Sequence, residues 1–228
     1  MTHYPKVFIY DLDGVITDTA EFHFLAWQKL AEELGILFDR QFNEQLKGIN
    51  RMDSLDRILQ LDASQPEFSS EEKEKLAARK NDYYLELIEA INPSHILPGI
   101  ETLLKANKAA NVKIALGSAS KNAPAILEKL GLTSYFDYIV DASKVEKGKP
   151  DPETFTTAAE ALGISYPDCI GLEDSAAGVE AINKANMYSV GVGDPAHLSH
   201  AHYLVADTSA LMFDEIIKQY QTQQEREK

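Results

Sequence analysis

Six short runs rich in β-branched and aromatic residues recur along the chain, at Val7–Asp11, Lys113–Ser118, Asp137–Asp141, Cys169–Asp174, Tyr188–Gly193 and Tyr203–Asp207, with helical stretches between them. That alternation predicts a parallel sheet, because parallel neighbours need a long crossover and a helix supplies it. Several runs finish in Asp or Ser. In an open α/β sheet the ligand crevice lies beyond the carboxyl ends of the strands. Asp11, Ser118 and Asp174, far apart in sequence, are therefore expected to converge on one site.

One interval breaks the pattern. Between the first run and Lys113 lie about 100 residues without a strand signal, far more than a single crossover needs. Phe22, Ala26, Leu30 and Leu34 recur every four residues, as on one helical face, and further helices are predicted around Phe42–Lys47, Ser54–Leu61 and Ser70–Ile91. Pro93 and Pro98 punctuate the return to the sheet. These features predict a helical cap spanning about residues 16–95, from Ile16 to His95, set as a lid over a core formed by residues 1–15 and 96–228. From Leu211 onward the chain reads as a last amphipathic helix that frays over Gln221–Lys228.

Charge narrows the partners. The 22 Lys and Arg against 36 Asp and Glu give a net charge of −14, which repels nucleic acid, whose non-specific affinity comes from basic side chains displacing counterions. Apolar runs such as Val7-Phe8-Ile9-Tyr10 fall far short of the roughly 20 residues a membrane-spanning helix needs. Asp11 and Asp13 arrive before a signal-peptide core could form, and the single cysteine, Cys169, has no internal disulfide partner. A cytoplasmic monomer with neither nucleic-acid nor membrane partners is expected.

The sharpest local signal is Asp11-Leu12-Asp13-Gly14-Val15, directly after the first apolar run. Two carboxylates two residues apart at a strand end, with a glycine turn behind them, can divide labour: one attacks while the other manages a proton. A solvated turn is the competing reading, since Asp and Gly are common turn formers. Ser118, Lys149-Pro150 and Glu173-Asp174 follow in order. Together the four segments resemble the motif set of the haloacid dehalogenase superfamily, which includes many aspartyl-phosphate phosphotransferases. Asp11–His23, Asp39–Ser54 around Leu46-Lys47-Gly48, Gly117–Pro124 and Gly171–Ser175 further resemble the β-phosphoglucomutase family, and the likeness spans the lid as well as the core.

The resemblance implies an α/β fold, a Rossmann-like parallel sheet core with an inserted helical cap domain. It also implies interconversion of β-D-glucose 1-phosphate and D-glucose 6-phosphate, with Mg²⁺, through β-glucose 1,6-bisphosphate. Asp11 is then the nucleophile and Asp13 the general acid and base. The Mg²⁺ ligands implied are Asp11, the backbone carbonyl of Asp13 and Asp174, with Glu173 beside them; a hard cation with oxygen ligands offsets the repulsion between phosphate and carboxylates. Ser118, Ala119 and Lys149 would hold the transferring phosphoryl group. A bisphosphate needs a second anchor: Arg51 is the main candidate, through its bidentate fork, with Ser120 and Asn122 donating from the core and Lys121 adding charge. The reading that opposes it pairs Arg51 with Asp53 or Asp56 at the surface. Thr19, His23, Lys47 and Gly48 complete the implied sugar-phosphate contacts, with Thr19 and Asp18 at the hinge.

Two other functions compete. A sugar-phosphate phosphatase on the same scaffold would pass the phosphoryl group to water, and the core motifs fit it equally; the lid favours the mutase, because closure excludes water. A phosphorelay receiver needs neither a second carboxylate two residues on nor a lid. His197, His200 and His202 are read as a surface loop, Cys169 as a core residue, and Trp27 as packing within the lid.

Overall fold

A computed structural model describes residues 4–226 apart from Lys47 and Gln65. All six strands form: β1 (Val7–Tyr10), β2 (Lys113–Leu116), β3 (Tyr138–Ile139), β4 (Cys169–Glu173), β5 (Tyr188–Val192) and β6 (Tyr203–Val205). They lie in one sheet of order β3-β2-β1-β4-β5-β6, every pair parallel. Each strand is shorter than its apolar run at the carboxyl end. The residues there, Asp11, Ser118 and Asp174 among them, line the crevice, Asp11 while its N–H still donates to Leu172 C=O at 3.0 Å.

β1 is buried along its whole length, as a central parallel strand covered on both faces must be. Its alternation sorts the core: Phe8 and Tyr10 join Ile114, Leu116, Ile170 and Leu172 on one face, while Val7 and Ile9 join Ala115, Cys169, Phe155 and Ile182 on the other. The helices α5 (Ile100–Ala109), α6 (Ala123–Lys129), α7 (Glu153–Ala161), α8 (Ala176–Lys184), the short α9 (Pro195–Leu198) and α10 (Phe213–Arg226) cover the sheet. α10 continues through Gln221 to Arg226; the fraying expected from Gln221 is not seen among the described residues, because Ile216, Ile217 and Tyr220 bury the first turns and the polar remainder propagates from them, and the last two residues of the expected range lie outside the described ones.

Between β1 and α5 stand α1 (Ala20–Glu33), α2 (Arg40–Asn43), α3 (Arg51–Leu59) and α4 (Ser70–Ile88). The helix expected over Phe42–Lys47 splits into α2 and a 3₁₀ turn over Glu44–Leu46. α3 begins three residues before the predicted Ser54, because Asn50 caps it by accepting from the Asp53 N–H at 3.0 Å. Ser69 and Glu72 close α4 with a reciprocal capping box. Phe24, Trp27, Leu30, Leu55, Ile58 and Leu76 form an apolar cluster of this helical block's own. The segments entering and leaving it run side by side, Leu97 N–H donating to Ile16 C=O at 2.9 Å and Thr17 Oγ1 to His95 C=O at 2.8 Å. Among the described residues no helix is long and apolar enough to cross a membrane.

Candidate active site

β1 lies between β2 and β4, so the loops after these three strands meet at one end of the sheet. There Lys149 Nζ donates to Asp11 Oδ1 at 2.7 Å and to Glu173 Oε2 at 2.6 Å. All three residues are buried. Burial, and then the charge of Glu173, raise the Asp11 carboxyl to about 7 against the pull of Lys149. Burial alone would lower the Lys149 ammonium, but the two carboxylates hold it above its ordinary value. Glu173 Oε1 accepts from Ser175 Oγ at 2.8 Å and Ser175 N–H at 3.2 Å, so both its oxygens are engaged.

Asp11, Glu173 and Asp174 each present a carboxylate oxygen within 4.8 Å of the others. Hard oxygens gathered this closely fit a divalent cation. Gly14 permits the approach of Asp174: it sits at φ +78°, and a Cβ there would lie 2.2 Å from Asp174 Oδ2. Ser118 is buried at the end of β2, its Oγ accepting from the Ser120 N–H at 3.1 Å.

Asp13 is half-buried two residues after Asp11, and its Oδ1 is enclosed with no hydrogen-bond partner among the described residues. Burial, followed by the Asp11 charge, raises its carboxyl to about 8, above the range of an ordinary carboxylate. His23 Nε2 stands 4.0 Å from Asp13 Oδ2. On the other side of the ring, Lys80 Nζ lies 2.8 Å from His23 Nδ1, within hydrogen-bond distance, while Nε2 faces Asp13. Tyr84 packs against His23 with ring centroids 4.1 Å apart, and Lys80 lies over Trp27 and Tyr84. Burial lowers the Lys80 ammonium to about 7 and the His23 imidazole well below its ordinary value.

At the far side of the cleft Arg51 starts α3 and Asn122 precedes α6. Among the described residues no hydrogen bond or ion pair joins Arg51 to Asp53 or Asp56. Instead Asn81 Oδ1, from α4, accepts from Arg51 Nη2 at 2.7 Å and from Asn122 Nδ2 at 2.9 Å. The surface pairing of Arg51 with Asp53 or Asp56 is thus replaced: Asp53 is held by Asn50 Nδ2 at 2.7 Å and Asp56 by Lys73 at 2.7 Å. Gly48, at φ +73°, seats the helical block on the core; a Cβ there would lie 2.6 Å from Ser175 Oγ.

A cavity of about 530 Å³ joins the two ends, lined by Asp11, Asp13, His23, Gly48, Arg51, Lys80, Ser118, Ala119, Ser120, Lys121 and Asp174 among others. Thr19 lies at the start of α1, buried, with its side chain against the Tyr84 hydroxyl. Lys47 falls outside the described residues. Trp27 reaches both the helical apolar cluster and the cavity wall. His197, His200 and His202 are exposed; His197 belongs to α9, and His202 Nδ1 lies 2.8 Å from Ser189 Oγ. Cys169 is buried at the start of β4.

Lys80 and Asn81 escaped the sequence reading. A signal existed for the first: Leu76, Lys80, Tyr84 and Ile88 repeat every four residues, so a lysine interrupts the buried stripe of α4. Nothing in the sequence marks Asn81.

The profile of the haloacid dehalogenase-like hydrolases matches residues 5–186. A β-phosphoglucomutase from Bacillus subtilis is 46% identical over 222 residues, 97% of this chain and 98% of the relative. A fructose-1-phosphate phosphatase from Escherichia coli is 30% identical over 81% of this chain and 94% of its own. Among solved structures, the crystal structure of β-phosphoglucomutase from Clostridium difficile superposes with a TM-score of 0.95 at 50% identity, covering 97% of this chain and 100% of that one.

Proposed function

The chain belongs to the haloacid dehalogenase-like hydrolase family, and from that membership we propose that it is a Mg²⁺-dependent phosphotransferase interconverting β-D-glucose 1-phosphate and D-glucose 6-phosphate. The observation that carries the reading is one cavity of about 530 Å³ with a nucleophile–acid pair, Asp11 and Asp13, at one end and the cationic Arg51 at the other. A hexose bisphosphate needs both ends at once. The likeness to two β-phosphoglucomutases over nearly the whole chain supports the same reading.

Asp11 Oδ attacks the phosphorus of the bisphosphate, forming an aspartyl phosphate as the bond to the sugar oxygen breaks. Asp13, raised to about 8 by burial and by Asp11, holds a proton near neutrality and gives it to that departing oxygen. With the 1-phosphate transferred, glucose 6-phosphate leaves and β-glucose 1-phosphate takes its place; Asp13 then takes the proton from the 6-hydroxyl as that oxygen attacks the aspartyl phosphate. Asp11 is freed, and the bisphosphate so regenerated turns end for end to present its 1-phosphate for the next round. The Lys80–His23 pair sets the His23 ring with Nε2 toward Asp13, 4.0 Å from its Oδ2, at the wall of the cleft that the sugar would enter. Ser118 and Lys149 hold the transferring phosphoryl oxygens.

Asp11, the Asp13 carbonyl and Asp174 would hold Mg²⁺, with Glu173, both of its oxygens engaged by Lys149 and Ser175, orienting that site. When bound, the cation neutralises charge between the carboxylates and the phosphate. At the distal end Arg51, Ser120, Lys121 and Asn122 take the phosphate that is not being transferred, and Thr19, His23, Lys47 and Gly48 complete the sugar and phosphate contacts. In this reading residues 1–15 and 96–228 are the catalytic core and residues 16–95 the cap, and the enzyme is a cytoplasmic monomer acting on small sugar phosphates.

The test supplies Mg²⁺, β-glucose 1-phosphate and a trace of the bisphosphate, and follows glucose 6-phosphate against free phosphate. Glucose 6-phosphate in large excess is expected. Free phosphate as the main product would assign a phosphatase instead.

A further inference from the structure

Asn81 links the helical block to the core at the distal end of the cleft. Its Oδ1 collects two donors from different parts of the fold: Arg51 Nη2 from α3 at 2.7 Å, and Asn122 Nδ2 from the start of α6 at 2.9 Å. Asn81 follows Lys80 on α4, so a single helix turn carries both the contact to His23, at the acid end, and the clasp at the far end. We propose that Asn81 is a positioning residue that pre-assembles Arg51 and Asn122 into the anchor for the non-transferring phosphate. This rests on the mutase reading above.

The donor inventory permits this without displacing Asn81. Arg51 carries five N–H donors and spends one on Asn81; the Asn122 amide has two and spends one. Each therefore keeps donors for phosphate oxygens while Asn81 fixes its direction. The ordering cost of two polar side chains on opposite sides of a cleft is met before the ligand arrives, which is how preorganisation raises affinity. Asn122 is braced from behind as well, its N–H donating to Ser120 Oγ at 3.3 Å and the Ser120 N–H to Ser118 Oγ at 3.1 Å. That chain leads from the distal anchor back to the reacting end.

Two measurements test it. The first needs no substrate: hydrogen exchange of the Asn122 side-chain amide, followed by ¹⁵N NMR, should be slow in the wild type and fast in Asn81→Ala. Fast exchange already in the wild type overturns the clasp whatever the enzyme does. The second is a double-mutant cycle of Asn81→Ala with Arg51→Ala, read as binding of β-glucose 1,6-bisphosphate to Asp11→Asn protein with Mg²⁺ and as KM and kcat in the Asp11 background. Asn81→Ala should weaken binding and raise KM about 5- to 30-fold, with kcat within about 3-fold, and should add almost nothing once Arg51 is gone. Equal effects in both backgrounds, or a fall in kcat with KM unchanged, would make Asn81 an ordinary structural residue. If the wild type binds no bisphosphate and forms no glucose 6-phosphate, the mutase reading fails and the positioning role falls with it; wild-type turnover with an additive cycle overturns the positioning role alone.

Discussion

Lys80 Nζ lies 2.8 Å from His23 Nδ1, sandwiched in a wall of Trp27 and Tyr84, so a lysine occupies a place on α4 where an apolar side chain would pack. The fold keeps this buried amine beside the acid end of the cleft at a cost in stability.

That cost sets the first prediction. The Lys80 ammonium falls to about 7 in the native state, below its ordinary value of 10.5, so between those limits the unfolded chain binds more protons and stability rises with pH. Lys80→Met removes the penalty but leaves His23 Nδ1 unpaired. A net gain of about 1–3 kcal/mol is expected at pH 7, shrinking as the pH approaches 10, together with a fall in kcat. Denaturant titrations at pH 7 and 9.5 check it; a less stable variant at pH 7 would contradict the assignment.

Lys149 behaves in the opposite way, because its two carboxylate partners are buried with it. Lys149→Met should cost about 3–5 kcal/mol at pH 8 by leaving Asp11 and Glu173 unpaired. The Asp11 carboxyl, already raised by burial, rises further when Lys149 no longer lowers it and binds a proton more readily in the native than in the unfolded chain, so the deficit should narrow as the pH falls toward 6. Thermal unfolding at the two pH values reads it.

Asp11→Asn should abolish turnover and phosphoenzyme together while leaving Tm near wild type, since the amide is nearly isosteric but a poor nucleophile. Intact-mass measurement after incubation with the bisphosphate gives the phosphoenzyme directly. Turnover like the wild type would remove Asp11 from the mechanism.

Gly14→Ala probes the metal site through the backbone. A Cβ there would sit 2.2 Å from Asp174 Oδ2 at a residue with φ +78°. Loss of about 1–2 kcal/mol of stability is expected from the positive φ, and displacement of Asp174 should weaken Mg²⁺ binding more than about 10-fold. Calorimetric Mg²⁺ titration checks it, and unchanged affinity would take Asp174 out of the ligand set.

Arg51→Ala should lower catalytic efficiency about 10- to 150-fold in both directions, the worth of a charge-assisted pair. Arg51→Lys should recover only part, since a point charge lacks the fork. Acetyl-phosphate hydrolysis supplies the comparison, because that small donor needs no distal anchor. An unchanged ratio of the two activities would take Arg51 out of the distal phosphate anchor.

What the sequence by itself determined is everything that local chemistry encodes. The apolar alternation of Val7-Phe8-Ile9-Tyr10 set both faces of β1, the Ser69–Glu72 pair set the start of α4, and the order Asp11, Ser118, Lys149, Asp174 set which strand ends carry the chemistry. Where local pattern ran out, as in the Gln-rich end of α10, the helix was carried by the turn before it. Only the tertiary structure decided who meets whom across the cleft. Lys149 and Asp11 are 138 residues apart, Lys80 and His23 57, Asn122 and Asn81 41. A hydrogen bond depends on a few tenths of an ångström and a direction, which no spacing along the chain records. Lys80 left a trace because burying a charge breaks an apolar stripe. Asn81 left none: a half-buried amide is ordinary on a helix until two donors, one from α3 and one from the start of α6, converge on its oxygen.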